Sequence, residues 1–169
     1  RMLGERLSTL VPLAGLKLAA GAILLSPFIP LLFMGEEYGE RAPFLYFISH
    51  SDPALVEAVR RGRREEFSAF RWQENFPDPQ EEETFRASKL QRELRFQGHH
   101  RMLRAFYKEL IRLRKTLAPL AFLSKEQMEI VSSEDEKTIL VRGWKEEEEV
   151  FMVFNFSRSE TRVDLPVPA

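Results

Sequence analysis

The 169-residue chain contains no cysteine, which excludes disulfide bonds, thiolate catalysis and cysteine-based zinc sites. This absence fits a cytoplasmic protein, and the cytoplasm is the location we expect. Only three histidines are present, His50, His99 and His100, and there is no phosphate-binding loop and no GxSxG or HExxH motif. We therefore expect neither a metal nor a cofactor. Adjacent side chains on a helix point in different directions, so we expect His99 and His100 to be solvated at a helix start.

The sequence also lacks an excess of charge of either sign. With 25 basic and 26 acidic side chains, the formal net charge is -1, so we expect no nucleic-acid partner and no binding to a membrane surface. The apolar fraction of 44% and the charged fraction of 30% are typical of a globular domain. A chain of this length can bury a sizeable core.

No hydrophobic run is long enough to cross a bilayer. The most apolar stretch is Leu7 to Met34, but Pro12, Pro27 and Pro30 interrupt it and leave a helix candidate over Leu13–Leu25. About 13 residues at 1.5 Å each span roughly 20 Å, short of the ~30 Å that a bilayer core requires. We expect no membrane-spanning segment.

The apolar run Leu31–Met34, closed by Gly35, predicts a strand buried on both faces, as in a parallel sheet. A helix, a short turn and a buried strand form the repeating half of an α/β barrel or a doubly wound fold. Because one such unit cannot form either fold alone, the sequence predicts the end of a larger α/β domain.

Helices are predicted in the middle of the chain. Asp52–Pro53 and Asp78–Pro79 are typical helix or turn starts, and a short helix is expected over Thr84–Leu90. The clearest helix is His99–Leu117. Its apolar stripe has alternating spacings of four and three and consists of Leu103, Phe106, Leu110, Leu113 and Leu117.

From Met128 onward the apolar residues recur with a period of two, which is typical of strands. Four strands are predicted: Met128–Val131, Thr138–Trp144, Val150–Phe156 and Thr161–Leu165. Because Val150–Phe154 is apolar on both faces, we expect it to be a central, covered strand. Four strands indicate a small antiparallel sandwich. The run Glu146–Glu149 is interpreted as a solvated hairpin tip and not a metal site.

Two adjacent acids, Glu36 and Glu37, follow the predicted buried strand. Barrel enzymes place their active sites at the carboxyl ends of such strands, and two acids there suit a general acid/base pair. Adjacent residues on an extended chain point to opposite sides, however, so at most one of them would face a ligand. From the spacing alone, a binding role and a salt-bridged or solvated pair both remain open.

Aromatic residues are numerous after these acids. Tyr38, Tyr46 and Trp72 combine an aromatic face with a polar group, so they are candidates for stacking on a sugar ring. Phe44 and Phe47 are explained as well by a small core under a long loop. The candidate substrate-binding residues are therefore Glu36, Glu37, Tyr38, Tyr46 and Trp72.

Several segments resemble the alpha-amylase family of glycoside hydrolases. Ala19–Leu25 followed by Pro30–Glu37 is similar to the last helix–strand unit of the (β/α)8 barrel of these enzymes. Within the family, further segments resemble the malto-oligosyltrehalose trehalohydrolases, and the resemblance covers nearly the whole chain. These segments are Arg1–Leu7, Phe47–Pro53, Gly62–Phe67, Asp78–Gln80 and Ser88–Leu90.

The resemblance implies an α+β chain in three parts. Residues 1–50 would be the C-terminal end of a (β/α)8 barrel, 51–123 a helical connecting segment, and 124–169 an antiparallel β-sandwich domain. It also implies a retaining glycosidase that cleaves the α-1,4 bond next to the terminal trehalose of maltooligosyl trehalose and releases trehalose. In the family an aspartate nucleophile, a glutamate acid/base and a second aspartate lie on barrel strands four, five and seven. No residue here matches them, so no catalytic residue is assigned and the chain alone is expected to be inactive.

Two other interpretations stay open: a glucan-branching or debranching enzyme, and a non-catalytic carbohydrate-binding or assembly module. The expected partner is an α-glucan such as maltooligosyl trehalose. In a barrel, residues 13–34 would lie between neighbouring elements. We therefore expect the chain alone to self-associate through them, or to fold them against its own connecting segment.

Overall fold

The computed structural model describes residues 4–69 and 77–165. Within these ranges it contains helices packed beside one antiparallel sheet, an α+β arrangement. The helices are α1 (Leu7–Leu10), α2 (Leu13–Leu24), α3 (Pro53–Ala69), α4 (Glu82–Ala87), α5 (Gly98–Thr116) and α6 (Ala118–Ala121), and the strands are β1 (Met128–Ser133), β2 (Thr138–Lys145) and β3 (Glu148–Asn155). Short 3-10 turns cover Glu36–Tyr38, Arg92–Phe96 and Lys125–Gln127.

The main core lies between α2 and α5. The helix predicted over Leu13–Leu25 is confirmed with one residue fewer. Ala20 is fully buried at the centre of the α2 face, and its small side chain lets the two helices approach closely. The cluster is completed by Leu16 and Leu24 from α2 and by Leu103, Tyr107 and Leu110 from α5.

The helix α5 confirms the predicted helix, but its buried face is rotated from the predicted stripe. Leu103 and Leu110 are buried as expected, whereas the other buried positions are His100 and Tyr107. Phe106 is only partly buried beside the cluster. A stripe of apolar residues alone omits the histidine and the tyrosine that complete the buried face.

The sheet has the order β1-β2-β3, with both neighbouring pairs antiparallel. The predicted hairpin tip is confirmed, because Lys145 pairs with Glu148 and leaves Glu146 and Glu147 as the turn. The expectation that Val150–Phe154 is a central strand is wrong. It belongs to the edge strand β3, where Val153 is 47% exposed, and the covered central strand is β2.

The predicted sandwich is not formed by the residues that the structure describes. These residues form one sheet of three strands, and the predicted fourth strand, Thr161–Leu165, is not a strand. Alternation of apolar and polar residues is therefore not sufficient to form a strand there. A strand also requires a neighbouring strand with which to form hydrogen bonds.

The segment Leu31–Met34 is likewise not a strand, and the prediction of burial on both faces is wrong for it. Leu31 is 90% exposed and Ile29 is 95% exposed, whereas Leu32 packs against the α2–α5 cluster. Among the described residues, no strand pairs with this segment. Within the described residues, its backbone therefore forms no strand-to-strand hydrogen bonds. One of its two sides is exposed.

A second cluster joins the sheet to the helices through Leu120 on α6, Val141 on β2 and Met152 on β3. Leu25 packs against both clusters and connects them. The guanidinium of Arg114 on α5 donates to the carbonyl oxygens of Leu24, Ser26 and Phe28, at 2.6, 2.7 and 2.8 Å. It thereby holds the chain that leaves α2. None of the helices in the described ranges has the length and apolar character needed to cross a membrane.

Candidate functional site

The acidic loop, residues 35–42, depends on two glycines in the left-handed region. Gly35 has φ 87° and Gly39 has φ 71°, and they flank the 3-10 turn Glu36–Tyr38. A Cβ on Gly35 would lie 2.7 Å from the Cβ of Glu40, and one on Gly39 would lie 3.1 Å from Leu103. Both positions therefore require glycine for conformation and for space. The loop begins directly after residues 29–34, the exposed segment, in which Ile29 and Leu31 are exposed.

Glu36 and Glu37 lie on a helical turn and not on an extended chain, so the opposite-sides argument does not apply to them. The carboxylate of Glu36 accepts a hydrogen bond from the backbone amide of Phe33, at 2.9 Å. Glu37 is half-buried and forms no hydrogen bond or ion pair with any residue in the described ranges. Its carboxylate can accept hydrogen bonds from a ligand.

Tyr38 is buried, with 3% of its surface exposed. Its hydroxyl donates to Oε2 of Glu40, at 2.8 Å. Burial raises the pKa of Tyr38 well above its ordinary value, and the hydrogen bond and negative charge of Glu40 raise it further. The phenol therefore stays protonated and acts as a donor within the loop.

Glu40 is the centre of the loop. Its Oε1 accepts from the backbone amides of Arg41 and Ala42, at 2.7 and 2.8 Å. Its Oε2 accepts from the Tyr38 hydroxyl and from the amide of Gln91, at 2.7 Å for the amide. Burial alone would raise the pKa of Glu40, but the hydrogen bonds outweigh burial and lower the pKa below its ordinary value.

Two side chains of α5 face the acidic loop. Nδ1 of His100 lies 2.8 Å from the carbonyl oxygen of Tyr38. The expectation that His100 is solvated is wrong, because this residue is 6% exposed. Tyr107 is also buried, and burial together with the charges of Glu36 and Glu37 raises its pKa to about 12. The helix thus places an imidazole and a phenol beside the acidic loop.

Arg6 joins the acidic loop to the segment before it. Its Nε donates to the carbonyl of Ala42 at 2.9 Å and its Nη1 to that of Met34 at 2.8 Å. Its guanidinium also lies 4.8 Å from the ring centre of Phe33. A cavity of about 300 Å³ adjoins this arrangement and is lined by Glu36, Tyr107 and Phe33, among others.

A row of aromatic rings leads away from the loop. Successive edge-to-face pairs join Phe33 to Phe44, Phe44 to Phe47 and Phe47 to Phe85, with centre distances of 5.0, 6.0 and 5.1 Å. This row supports the interpretation of Phe44 and Phe47 as packing residues. Tyr46 lies outside it: it is 51% exposed, with the Arg63 guanidinium 4.9 Å from its ring centre.

The structure thus brings three of the five candidate binding residues together: Glu36, Glu37 and Tyr38 share one turn. Tyr46 lies farther along the chain and is exposed, and Trp72 lies outside the described residues. Sequence reasoning missed Glu40, His100 and Tyr107, whose importance comes from burial against distant segments. Among the described residues, no group of three or more acidic or histidine side chains could hold a metal ion.

Comparison with known proteins identifies curated relatives of the chain. No protein-family model matches it. The malto-oligosyltrehalose trehalohydrolase of Rhizobium sp. (strain M-11) is 38% identical over 98% of this chain and 27% of its own length. That of Brevibacterium helvolum is 38% identical over 97% of the chain and 27% of its own length. That of Saccharolobus solfataricus is 47% identical over 66% of the chain and 18% of its own length.

A solved structure is also similar to the chain in fold and in sequence. A crystal structure described as an alpha amylase from Salmonella typhimurium matches with a TM-score of 0.82 and 37% sequence identity, over 98% of this chain and 28% of that chain. The chain is therefore similar to part of the alpha-amylase-type glycoside hydrolases. More particularly, its curated relatives are malto-oligosyltrehalose trehalohydrolases, and it corresponds to their C-terminal part, so the resemblance stated from the sequence is confirmed. The chain spans about 27% of the length of the first two of these relatives.

Proposed function

We propose that the chain forms part of a retaining glycoside hydrolase that cleaves the α-1,4 bond next to the terminal trehalose of maltooligosyl trehalose. The products would be trehalose and a shortened α-glucan. The observation that carries the proposal is the 38% identity to a malto-oligosyltrehalose trehalohydrolase along 98% of the chain. Identity at that level along nearly the whole chain favours a shared substrate class.

Within such an enzyme, residues 1–50 would form the end of a (β/α)8 barrel, 51–123 a connecting segment and 124–169 a C-terminal β domain. The exposed segment 29–34 supports this arrangement, because one side of it packs on the α2–α5 cluster while Ile29 and Leu31 are 95% and 90% exposed. A strand of a closed barrel needs a neighbour on each edge and cover on each face. The remainder of the barrel would supply both.

The acidic loop would then lie at the carboxyl end of that strand, where barrel enzymes bind substrate. Glu37 would accept hydrogen bonds from sugar hydroxyls, and Glu36 would line the same side. Tyr38 would act from behind the turn, through Glu40, because its ring is buried. Tyr46 and Trp72 would offer aromatic faces farther along the glucan. The three carboxylates that break the bond would come from other barrel strands.

The test compares the complete protein that contains this chain with the 169-residue chain alone. Each is incubated with maltooligosyl trehalose, and released trehalose is measured. We expect the complete protein to release trehalose and the chain alone to release none, because retaining chemistry needs two carboxyl groups about 5–5.5 Å apart across one bond. Turnover by the chain alone would contradict the assignment of its residues to supporting roles.

The same assay separates the other interpretations. Transfer of a glucan segment with no net hydrolysis would indicate a branching enzyme. Hydrolysis of plain maltooligosaccharides at the same rate would indicate a general amylase, as the Salmonella structure is described. Binding without turnover by the complete protein would indicate a carbohydrate-binding module.

A further inference from the structure

Glu40 is a buried acid whose carboxylate is surrounded by hydrogen-bond donors. Its side chain is 1% exposed, and no lysine or arginine in the described ranges lies within ion-pair distance of it. Four donors satisfy its two oxygens, and three of them are backbone amides. Hydrogen bonds to an ionised oxygen are about twice as strong as those between neutral groups. The carboxylate is therefore held as an anion by fixed backbone dipoles.

Three of the four donors belong to the acidic loop, and one comes from a distant segment. Arg41 and Ala42 follow Glu40 directly, whereas Gln91 lies 51 residues away, just before the turn Arg92–Phe96. The fourth donor, Tyr38, is itself fixed to α5 through its carbonyl and His100. One carboxylate thus joins the acidic loop to the segment at 91 and, through Tyr38, to α5.

The backbone of Glu40 closes the turn that carries the two candidate acids. Its amide donates to the carbonyl of Gly35, at 2.9 Å, and its carbonyl accepts from the Ser8 hydroxyl. Glu36 and Glu37 lie between Gly35 and Glu40, so both ends of their turn are fixed by the same residue. A displacement of Glu40 would change the direction of both acids.

We propose that Glu40 is the positioning residue that sets the orientation of Glu36 and Glu37 toward an α-glucan bound at the acidic loop, an inference that rests on the proposed function. Its carboxylate is buried and would act through the turn. Glutamine keeps the size of the side chain but replaces one acceptor oxygen with a donor group. Two of the four hydrogen bonds of Glu40 would then be lost or reversed.

The first experiment measures amide hydrogen exchange in the 169-residue chain and needs no substrate. With Glu40→Gln we expect exchange at Tyr38, Gly39, Glu40 and Gln91 to accelerate at least tenfold, while the central amides of α2 keep their protection. Glu93→Gln, an exposed acid near Gln91, is the matched control and should leave all of these rates within twofold. Unchanged protection of the turn with Glu40→Gln would overturn the inference.

The second experiment is a double-mutant cycle in the complete protein, with Glu40→Gln, Glu37→Gln and both changes together. If Glu40 acts through the turn, each single change lowers kcat at least tenfold with KM altered less than threefold. The double variant should then be within about twofold of the weaker single variant, because neighbouring residues with one shared role are not additive. Multiplicative losses, or normal kinetics of Glu37→Gln, would overturn the inference.

The variant Glu40→Gln could fail to fold, and the complete protein could act on another glucan. If Glu40→Gln does not fold, Tyr38→Phe replaces it, because it removes a single donor to Glu40 and keeps the buried ring. If the complete protein cleaves a different α-glucan, the cycle is run with that glucan. In that case the proposed function fails while the role of Glu40 is still tested. If the complete protein turns over no α-glucan, both proposals fail.

Discussion

The imidazole of His100 donates its Nδ1 hydrogen to the carbonyl oxygen of Tyr38, 2.8 Å away. The carbonyl can only accept, so this nitrogen must carry the hydrogen. The bond joins the acidic loop to the helix α5, 62 residues later in the chain. Both groups are buried, so loss of this hydrogen bond should lower the free energy of unfolding.

We expect His100→Phe to destabilise the chain by about 1–3 kcal/mol, because it leaves the Tyr38 carbonyl buried without its donor. The free energy of unfolding in urea measures this cost. His50→Gln, at an exposed histidine, should change the same quantity by less than about 0.5 kcal/mol. Equal effects of the two substitutions would show that the Tyr38 carbonyl finds another donor.

The stability of the chain should depend on pH through Glu40. Its pKa in the folded chain is lowered from the ordinary value of 4.5, so the unfolded chain takes up this proton first as the pH falls. The stabilisation is therefore complete above pH 4.5 and is lost as the pH falls through the folded pKa. Glu40→Gln should lower the unfolding free energy at pH 7 by about 1.5–3 kcal/mol, and this deficit should shrink in acid.

Unfolding in urea at a series of pH values from neutral to acid measures that deficit. Glu134→Gln, in the exposed turn between β1 and β2, supplies the control and should show a small, flat difference. A deficit of Glu40→Gln that stays constant through the acid range would mean that the charge of Glu40 does not contribute.

Arg114 should be difficult to replace. Its guanidinium donates to three carbonyls at the end of α2, and the single ammonium of lysine cannot reproduce that fork. We expect Arg114→Lys to lower the unfolding free energy by about 1–3 kcal/mol. Arg112→Lys, in an exposed pair with Glu109, should leave the stability nearly unchanged, because solvent screens that pair. Thermal denaturation of the two variants would decide, and matching melting temperatures would contradict the prediction.

Glu37 should affect activity and not stability. In the complete protein, we expect Glu37→Gln to lower kcat/KM about tenfold or more, since a hydrogen bond to a charged acceptor contributes about 1.5–3 kcal/mol. Its melting temperature should hardly change, because Glu37 forms no hydrogen bond or ion pair within the described ranges. Kinetics and a thermal melt on the same preparation test this. A large loss of melting temperature with normal kinetics would instead show a structural role.

The chain alone should self-associate through the exposed segment that follows α2. Phe28, Ile29 and Leu31 are 63%, 95% and 90% exposed, and each apolar side chain of this size gains roughly 1.5–3 kcal/mol when buried. One face of α2 is already covered by α5, so residues 28–31 are the most exposed apolar part that remains. The double variant Ile29→Lys with Leu31→Lys should sediment as a monomer.

Sedimentation velocity of the unsubstituted chain gives the comparison, and Ile130→Lys on the exposed face of β1 is the control that should still associate. A monodisperse monomer that binds no hydrophobic dye would show that the segment finds cover within one chain. Association abolished by Ile130→Lys alone would move the contact to the sheet.

Elements whose signals are local were predicted well from the sequence. Pro12 sets the start of α2, Asp52–Pro53 the start of α3, and the period of Leu103 and Leu110 the helix α5. The three strands β1 to β3 follow from alternation and turn residues. Each of these patterns is contained within a few residues, so no distant partner is needed to read it.

The failures concern burial that depends on distant partners. Leu31–Met34 has the composition of a buried strand, but burial requires neighbours that the described residues do not provide. Glu40 shows the reverse: an acid after a glycine gives no sign of burial, because one of its four donors, Gln91, is far away in sequence. Of the candidate site, the position of Glu36 and Glu37 could be predicted, but not what holds them.

The contact between α2 and α5 has a consequence for synthesis of the chain. Leu24 meets Arg114, which is made 90 residues later. At about 5–20 residues per second, the ribosome needs roughly 5 to 18 s to add those residues. During that time the most apolar helix of the chain has left its place of synthesis without its partner, whereas each hairpin of the sheet can close almost as soon as its second strand is made. The helix α2 thus waits longer for its partner than either hairpin of the sheet does.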